Sequence, residues 1–354
     1  MTECAADTAA THIRSPADLV GLIPYLLGFH PSESVVVAEF RERRSKLGIV
    51  VRADMPANSD AAQLATGLAA RFSGRHADGA AIVVYGSVDG APDTTRGAEL
   101  VGMIGAAMQA VGIQLCDAMA VGGGRWRSYF CTDLGCCPAD GTLIAGNAGS
   151  EVAAAATVAG MVPLPDRHAL VRSLEPLPAR AAEPMARALK QAEAAFVLAV
   201  CRRGTASAWQ AGTRERFQRA IHRARGGRSG GRPLLADREV ARLLVGLVDI
   251  RSRDACWQDL DLRCSPEAFA VCWQLAQRSL PPYRSAPLFL LGWAAWRRGD
   301  GALARVAAER VLEQDVGYEA ARLLLVALDH GLHPDELPGL AGRRDHPLHR
   351  RRPR

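Results

Sequence analysis

Apolar residues in the first 130 positions alternate between helical spacing and strand-like spacing. From Leu19 to Leu27 they recur at helical intervals after Ser15-Pro16, a pair typical of a helix start, which predicts a helix over 16–27. Two β-rich runs, 34–40 and 47–55, flank a charged turn and predict a hairpin. The same patterns predict helices over 61–72 and 96–111 and strands over 80–86, 115–121 and 125–131. This alternation predicts an α/β N-terminal domain on a mixed sheet.

Beyond a proline-rich stretch at 162–184 the apolar period is helical throughout. Short breaks between the helices imply antiparallel neighbours and an all-α C-terminal domain. The helices are predicted at 185–203, 207–225, 235–252, 265–279, 286–298, 301–314 and 317–330. The expected organisation is therefore an α/β domain (1–161), a Pro-rich linker (162–184), a helical domain (185–335) and a basic disordered tail (336–354).

One helical pair has a recognisable pattern. Residues 286–315 resemble a single tetratricopeptide-type hairpin, with Gly292 in the first helix, a Gly299-Asp300 turn, and Ala304 where the helices must approach closely. A solenoid needs about three repeats to bury a continuous core, and one unit is visible. The pattern therefore favours an ordinary helix pair over a peptide-binding groove.

Several motifs occur together and in a fixed order along the chain. They are DLVGLIPYLLGFHPSESVVV (18–37), RADMP (52–56), GRWRSYFCTDLGCCPADG (124–141), RSRDACW (251–257) and APLFLLGWAAWRRGDGALARVA (286–307). In this combination the chain resembles an actinobacterial family catalogued as a domain of unknown function, DUF4192, over roughly residues 12–335. The resemblance implies a two-part cytoplasmic chain. It implies no activity, substrate or catalytic residue.

Composition adds limits on chemistry. The 354 residues, 49% hydrophobic and 23% charged, are typical of a soluble globular protein of two domains. The chain has 41 Arg but only 2 Lys. Schiff-base catalysis and phosphate-binding loops each require a lysine at a defined position, so few positions could support either. The net charge of +6 is concentrated in 202–232 and 343–354, and the remainder is mildly acidic. Any anion site must therefore use guanidinium groups or backbone amides.

Cysteine usage bears on the compartment. Nine scattered cysteines, with no basic or apolar leader pattern at the start of the chain, predict a cytoplasmic protein with reduced thiols. The longest apolar stretch, 100–115, is short for a membrane span, so no membrane partner is expected.

Three cysteines lie close together in RWRSYFCTDLGCCP: Cys131, Cys136 and Cys137. Thiolates select zinc, and a structural zinc site needs four ligands. The spacing lacks a second CxxC pair, and adjacent cysteines are awkward ligands for one ion. Zinc, a redox-active disulfide and plain structural thiols remain open, with the last favoured, so no cofactor is predicted and zinc is the possible exception.

A polar ligand site is suggested by two strand segments. Arg52 and Asp54 point to one face at the end of a strand, where ligands of α/β sheets tend to bind. The alternative is an ion pair at the sheet rim, which contributes little energy. In the second segment, 125–131, successive side chains point to opposite faces of the sheet, and Trp126 and Ser128 share one face. The candidate ligand-binding set is Arg52, Asp54, Arg125, Trp126, Ser128 and Tyr129.

A basic helix is the remaining positive signal. Arg216, Arg219 and Arg223 fall on one face of the predicted helix 207–225, ahead of the glycine-rich basic stretch 225–232. Such a face can contact nucleic-acid phosphates. A solvated face in an arginine-rich chain is the favoured alternative, because no interleaved aromatic residues offer a stacking surface.

The sequence contains no HExxH, no paired CxxC and no GxGxxG after the first strands. We therefore expect a non-catalytic, ligand- or partner-binding or regulatory protein that recognises a small molecule or a protein near the domain junction. One alternative is a hydrolase or transferase for an anionic small molecule that uses Asp54, Tyr129 or Cys131, with Arg52 and Arg125 as the anion holders. The other is weak, non-specific nucleic-acid binding through the basic helix and tail.

Overall fold

The structure is a computed structural model. It describes residues 13, 15–41, 46–74, 77–87, 90–144, 162–203, 207–226, 234–262, 264–332 and 334. The chain divides into two compact units at Leu170/Val171. We call them the N-terminal unit, which also includes Asp329–Gly331, and the helical unit. The predicted tail 336–354 and most of the basic stretch 225–232 lie outside the described residues.

The N-terminal unit contains a six-stranded sheet in the order β2-β1-β3-β4-β5-β6. β3 and β4 are parallel, and the other neighbouring pairs are antiparallel. The mixed α/β sheet predicted from the alternating periods is therefore confirmed. Its elements are α1 (Pro16–Leu27), β1 (Ser34–Arg41), β2 (Lys46–Asp54), α2 (Ala61–Phe72), β3 (Gly79–Tyr85), α3 (Ala98–Ala110), β4 (Leu115–Gly122), β5 (Arg125–Ser128) and β6 (Thr142–Leu143).

Local chemistry accounts for the bounds of α1. The Asp18 amide donates to Ser15 Oγ at 3.2 Å, and the Ser15 amide donates to Asp18 Oδ2 at 3.0 Å. This reciprocal cap satisfies two amides that would otherwise lack an acceptor at the helix start. Gly28 adopts φ 72° and ends the helix, because a residue without Cβ enters the left-handed region without strain.

The core of this unit lies between one face of the sheet and helices α2 and α3. Alternate strand residues such as Val37 and Ile82 are fully buried there against Phe72, Ile104 and Met108. Alternation follows from the two-residue period of a strand. It assigns each strand residue to the α2/α3 face or to the opposite face, which decides what the candidate site residues contact.

The helical unit is built from the remaining helices. These are α4 (Arg167–Ser173), which spans the unit boundary, α5 (Ala179–Arg203), α6 (Ser207–Gly226), α7 (Asp237–Leu247), α8 (Ile250–Leu262), α9 (Pro266–Arg278), α10 (Ser285–Arg297), α11 (Gly301–Gln314) and α12 (Glu319–Asp329). Within the described residues no helix is both long enough and apolar enough to cross a bilayer.

The predicted helix pair is α10 and α11. A Cβ added at Gly292 would lie 3.2 Å from the Ala304 carbonyl oxygen and 3.2 Å from the Ala307 Cβ. The close approach predicted at Ala304 is therefore present. This packing does not assign the pair to the tetratricopeptide class.

Three predicted boundaries differ from the structure. The helix predicted over 235–252 ends at Leu247 as α7, and a separate helix, α8, follows over Ile250–Leu262, most of which was not predicted as helical. Asp249 Oδ1 accepts the Ser252 amide at 2.9 Å and starts this second helix. Strand β5 ends at Ser128 rather than at residue 131. The proline-rich stretch 162–184 is partly helical, since it holds α4 and the first turn of α5.

Candidate functional site

The connection from β5 to β6 begins with a side-chain cap. Ser128 Oγ accepts the Phe130 amide at 3.1 Å and the Cys131 amide at 3.3 Å, and donates to Asp117 Oδ1 at 2.9 Å. These amides are thereby removed from any continued strand ladder. The chain turns away from the sheet at the position where the first cysteine of the motif stands.

A second turn returns the chain to Cys131. The Asp133 carbonyl oxygen accepts the Cys136 amide at 3.2 Å and the Cys137 amide at 2.7 Å, while Asp133 Oδ1 accepts the Gly135 amide at 2.8 Å. Asp at the first position of a tight turn commonly makes such bonds to the following amides. The turn brings the adjacent cysteines back beside the end of β5.

The three thiols converge as a result. The Sγ atoms of Cys131, Cys136 and Cys137 all lie within 4.8 Å of one another, and we call this group the thiol cluster. Cys137 is buried, Cys131 is half-buried and Cys136 is exposed, and none of the three is in a disulfide. The sequence placed these residues within seven positions. The turn at Asp133 makes them neighbours in space.

The electrostatics of the cluster follow from its crowding. Hydrogen bonding and charge from Cys131, with a smaller contribution from Cys137, raise the pKa of Cys136 to about 11. Like groups disfavour the charged form of a neighbour. A bound cation favours the thiolate form instead, because a coordinating thiol is deprotonated.

The spacing of the thiol cluster fits a thiophilic metal ion. Zinc binds sulfur at about 2.3 Å, so ligands at tetrahedral angles stand about 3.8 Å apart. The Sγ separations in the thiol cluster, all within 4.8 Å, are compatible with this value. In the described part of the chain, no His, Asp, Glu or fourth Cys joins the group. Three protein ligands would leave the fourth position to water or to a ligand atom.

Two arginines of β5 hold the loop that carries the thiol cluster. Arg125 Nη1 donates to the Gly141 carbonyl oxygen at 2.7 Å, and Arg127 Nη1 approaches the Ala139 carbonyl oxygen at 3.5 Å. Arg125 was predicted to hold an anion. In the structure its guanidinium fixes the end of the cysteine loop.

Tyr129 and Trp126 have structural surroundings. The Tyr129 hydroxyl donates to the Arg96 carbonyl oxygen at 2.5 Å, and burial raises the pKa of Tyr129 to about 12. Trp126 is buried on the face of the sheet that points away from α2 and α3, and its indole Nε1 has no hydrogen-bond partner.

Arg52 and Asp54 form an ion pair on strand β2. Arg52 Nη2 lies 2.6 Å from Asp54 Oδ1, with the Asp54 side chain 79% exposed, and the guanidinium stands 5.9 Å from the centre of the Phe29 ring. The Asp54 end of this pair is open to solvent, whereas the Arg52 side chain is only 13% exposed. Arg52 Nε is buried and unpartnered.

The structure does not bring the two halves of the predicted ligand site together. β1, β3 and β4 lie between β2 and β5. At about 4.8 Å per strand, the two strands are about 19 Å apart. By register, Arg52 shares a sheet face with Val83, whereas Arg125 shares the α2/α3 face. Asp54 and Tyr129 therefore do not line one cleft.

The face opposite α2 and α3 carries a row of buried polar groups, and sequence reasoning missed two of them, Ser34 and Tyr85. Ser34 pairs with Tyr85, Tyr85 with Val121, and Val121 with Trp126. Ser34 Oγ, Tyr85 OH and Trp126 Nε1 are all buried without a hydrogen-bond partner. Nothing in an apolar strand run distinguishes such residues from ordinary core positions.

The basic helix is α6, in the helical unit. Arg223 pairs with Glu239 at 2.7 Å, and the Arg216 guanidinium stacks 5.3 Å from the centre of the Trp209 ring. Arg219 Nε donates to the Glu215 carbonyl oxygen at 3.3 Å. Each arginine therefore has a contact within the protein, and phosphate binding through this face stays a prediction.

The fold and the site define a two-unit protein, with a mixed α/β sheet that carries a thiol cluster and a helix-rich second unit. The chain belongs to the family described as Domain of unknown function (DUF4192), whose sequence model matches residues 16–335. This confirms the family resemblance of the motifs. No curated protein and no solved structure matches the chain.

Proposed function

We propose that the protein is a non-catalytic, metal-binding regulatory protein whose N-terminal unit holds a thiophilic ion, with Zn²⁺ as the first candidate, at the thiol cluster. The convergence of three unbridged Sγ atoms within 4.8 Å carries this proposal. Thiolate ligands select zinc and other soft ions over magnesium or calcium.

The mixed exposure of the thiol cluster suits reversible binding. Cys137 is anchored in the protein interior, whereas Cys136 faces solvent. Binding would release protons from the thiols and tie the β5–β6 loop to the end of β5. The open fourth position would let a partner or small-molecule group complete the coordination.

A redox function is less well supported by the same geometry. Reactive cysteines have a lowered pKa, usually beside a cation or a helix N-terminus. The surroundings of Cys136 act in the opposite direction. A catalytic function has little support either, because Arg52 and Asp54 lie far from Arg125 and Tyr129.

The proposal is tested by metal titration of the reduced full-length chain. Co²⁺ should give thiolate-to-metal charge-transfer absorption at one equivalent, and Zn²⁺ should displace it. Cys131→Ser and Cys136→Ser should each weaken binding roughly 100-fold, because a thiolate ligand is lost. Cys201→Ser is the matched control, since Cys201 is an exposed thiol on α5 outside the cluster.

Two results would overturn the proposal. One is well under one equivalent of metal bound by the wild-type chain. The other is an equal loss of affinity in the Cys136 and Cys201 variants. If mild oxidation instead forms a disulfide between Cys131 and Cys136 in a chain that binds no metal, the thiol cluster is a redox site.

A further inference from the structure

Arginine side chains from two helices of the helical unit meet on one surface. Thr213 of α6 lies against Gly246, near the end of α7. Arg223, further along α6, pairs at 2.7 Å with Glu239, near the start of α7. The two helices therefore run antiparallel, and the stretch between these contacts forms a continuous surface.

Helical spacing places three arginines beside the Arg223–Glu239 pair. Arg219 and Arg216 precede Arg223 by four and seven residues, so they share its face of α6. Arg242 follows Glu239 by three residues and shares its face of α7. Because Arg223 and Glu239 are in contact, the two faces adjoin. We call Arg216, Arg219 and Arg242 the arginine cluster.

The carboxylates of the same two helices do not neutralise the arginine cluster. α6 and α7 contain three of them. Glu239 pairs with Arg223, and Asp237 pairs with Arg278 of α9. The third, Glu215, is exposed. Among the described residues no ion pair joins a carboxylate to a member of the cluster, so the surface keeps an excess of positive charge.

The guanidinium of Arg216 shows the effect of this crowding. Burial and the charges of Arg242 and Arg219 lower the pKa of Arg216, and Glu215 acts weakly in the opposite direction. The Trp209 ring, whose centre is 5.3 Å away, holds this guanidinium in place. Arg219 and Arg242 are exposed. An anion that approaches from solvent therefore meets three like charges, one of which is already positioned.

We propose that the arginine cluster binds a phosphate group, either of a small molecule or of a nucleic-acid backbone. Guanidinium groups are suited to phosphate because their planar N–H donors match its oxygen atoms. A phosphate bound here would relieve the repulsion among the three cations. The site lies wholly in the helical unit, uses none of the thiol cluster, and includes an arginine, Arg242, that belongs to a second helix.

Two probes of the full-length chain test this proposal. Inorganic phosphate is titrated by calorimetry, and a fluorescently labelled single-stranded oligonucleotide by anisotropy. We expect saturable binding of at least one. Arg242→Gln should weaken that binding about tenfold, because a charge-assisted hydrogen bond is lost. Arg242 is exposed, so the variant should stay folded. Glu215→Gln should strengthen binding, because a nearby negative charge is removed.

Arg322→Gln is the matched control. Arg322 lies on α12 of the same unit and pairs with Glu319 at 2.7 Å, so its replacement removes the same unit of charge from a different surface. Affinity should be unchanged in this variant. Arg242→Lys keeps the charge and loses the planar fork, so its affinity should lie between those of wild type and Arg242→Gln.

The two probes distinguish the sources of the phosphate. Phosphate binding alone indicates a small molecule. Oligonucleotide binding indicates a nucleic-acid backbone, provided that the slope of log affinity against log salt falls by about one in Arg242→Gln.

Absence of saturable binding of both probes, at millimolar phosphate and micromolar oligonucleotide, overturns the proposal. So does an equal effect of the Arg242 and Arg322 variants, which is the result expected if the basic stretch 343–354 carries the binding. Cys136→Ser should leave phosphate binding unchanged, so failure of the metal proposal and failure of this one are separate results.

Discussion

Asp300 caps the start of α11 with a carboxylate that its surroundings oppose. Its Oδ1 accepts the Leu303 amide at 2.9 Å. Burial raises the pKa of Asp300 to about 6, although the Leu303 amide and Arg298 act in the other direction. The side chain therefore serves as a hydrogen-bond acceptor in a place that disfavours its charge.

This residue predicts a pH-dependent stability. The pKa of Asp300 is higher in the folded chain than its unfolded value of 3.8, so its contribution to the free energy of unfolding is full below about pH 4 and falls as the pH rises through 6. Asp300→Asn keeps the cap and removes the charge. We expect the variant to be more stable than wild type by about 1–2 kcal/mol at pH 7.5, with no gain at pH 4.

Urea unfolding at the two pH values measures this difference. Asp315→Asn is the control, because Asp315 is exposed and accepts the Gly317 amide at 3.1 Å. It should show no comparable pH-dependent gain. An Asp300→Asn effect of the same size at both pH values would contradict the assignment.

Single residues also show what the sequence can and cannot reveal. Cys131, Cys136 and Cys137 are visible as a group because they are close in sequence and chemically distinctive. Arg284 stands in an ordinary turn sequence, PPYRSAP, and its burial depends on carbonyl groups as far away as Leu174. A contact across 110 positions leaves no local pattern. The burial of Arg284 is therefore visible only in the structure.

At the scale of elements, α6 and α7 cross at Gly246, a residue without a side chain. A Cβ on Gly246 of α7 would lie 2.2 Å from Thr213 Oγ1 and 2.6 Å from Thr213 Cγ2. Thr213 is fully buried, and its hydroxyl donates to the Trp209 carbonyl oxygen at 2.9 Å. A β-branched side chain held in this way has little freedom to move aside.

We therefore expect Gly246→Ala to destabilise the chain by about 1–3 kcal/mol, because the added methyl group overpacks the helix crossing. Thermal and urea unfolding measure the effect. Gly102→Ala on α3 is the control, since its Cβ would meet nothing within 4 Å. That variant should gain about 0.5–1 kcal/mol from helix propensity.

A double variant identifies the cause. Thr213→Ala removes the atoms that the new Cβ would meet, so Gly246→Ala should cost much less in that background. An undiminished cost would show that the backbone at Gly246, and not the contact with Thr213, sets the requirement.

Helices and strands were predictable where the apolar residues follow a single spacing, either helical or strand-like. The hairpin of β1 and β2 and the helix α1 follow from local patterns and caps, and the structure has both. The helix α8 was missed because its sequence, IRSRDACWQDLDL, is rich in charged residues and shows no clear helical spacing of apolar ones. The shortened β5 was missed because Ser128 looks like an ordinary strand residue until its partners are known.

At the scale of the whole molecule, the alternation of periods predicted one mixed α/β part and one helical part. The pairing of β1 with β3 was not predictable in this way. α2 lies between these strands in sequence, and their register depends on contacts between residues 39 to 51 positions apart. Non-local pairing of this kind depends on how whole faces of the sheet pack against the helices, and a local hydrophobic pattern does not show this.

The two units predict two unfolding transitions, because each has its own core. In calorimetry of the full chain, Zn²⁺ at about 100 times its dissociation constant should raise the midpoint of one transition by several degrees and leave the other unchanged. Trp126 is the single tryptophan of the N-terminal unit. Fluorescence of Trp126→Phe should therefore follow only the transition that Zn²⁺ does not shift.

A single transition, or two transitions that Zn²⁺ raises equally, would contradict this expectation. Two transitions that Zn²⁺ does not shift would retain the two units and reject the metal site.

The ends of the sheet have a consequence for self-association. Among the described strands, β6 closes one end with two residues, whereas β2 closes the other with nine. An incoming strand from another molecule would find a long row of backbone groups only beside β2. There the charges of Arg52 and Asp54 and the register shift between Ala38 and Phe40 interrupt a regular edge. Charged and irregular edges of this kind resist growth of a continuous intermolecular sheet. The ion pair suggested at first as a ligand site thus fits a role in keeping separate molecules from joining through their strands.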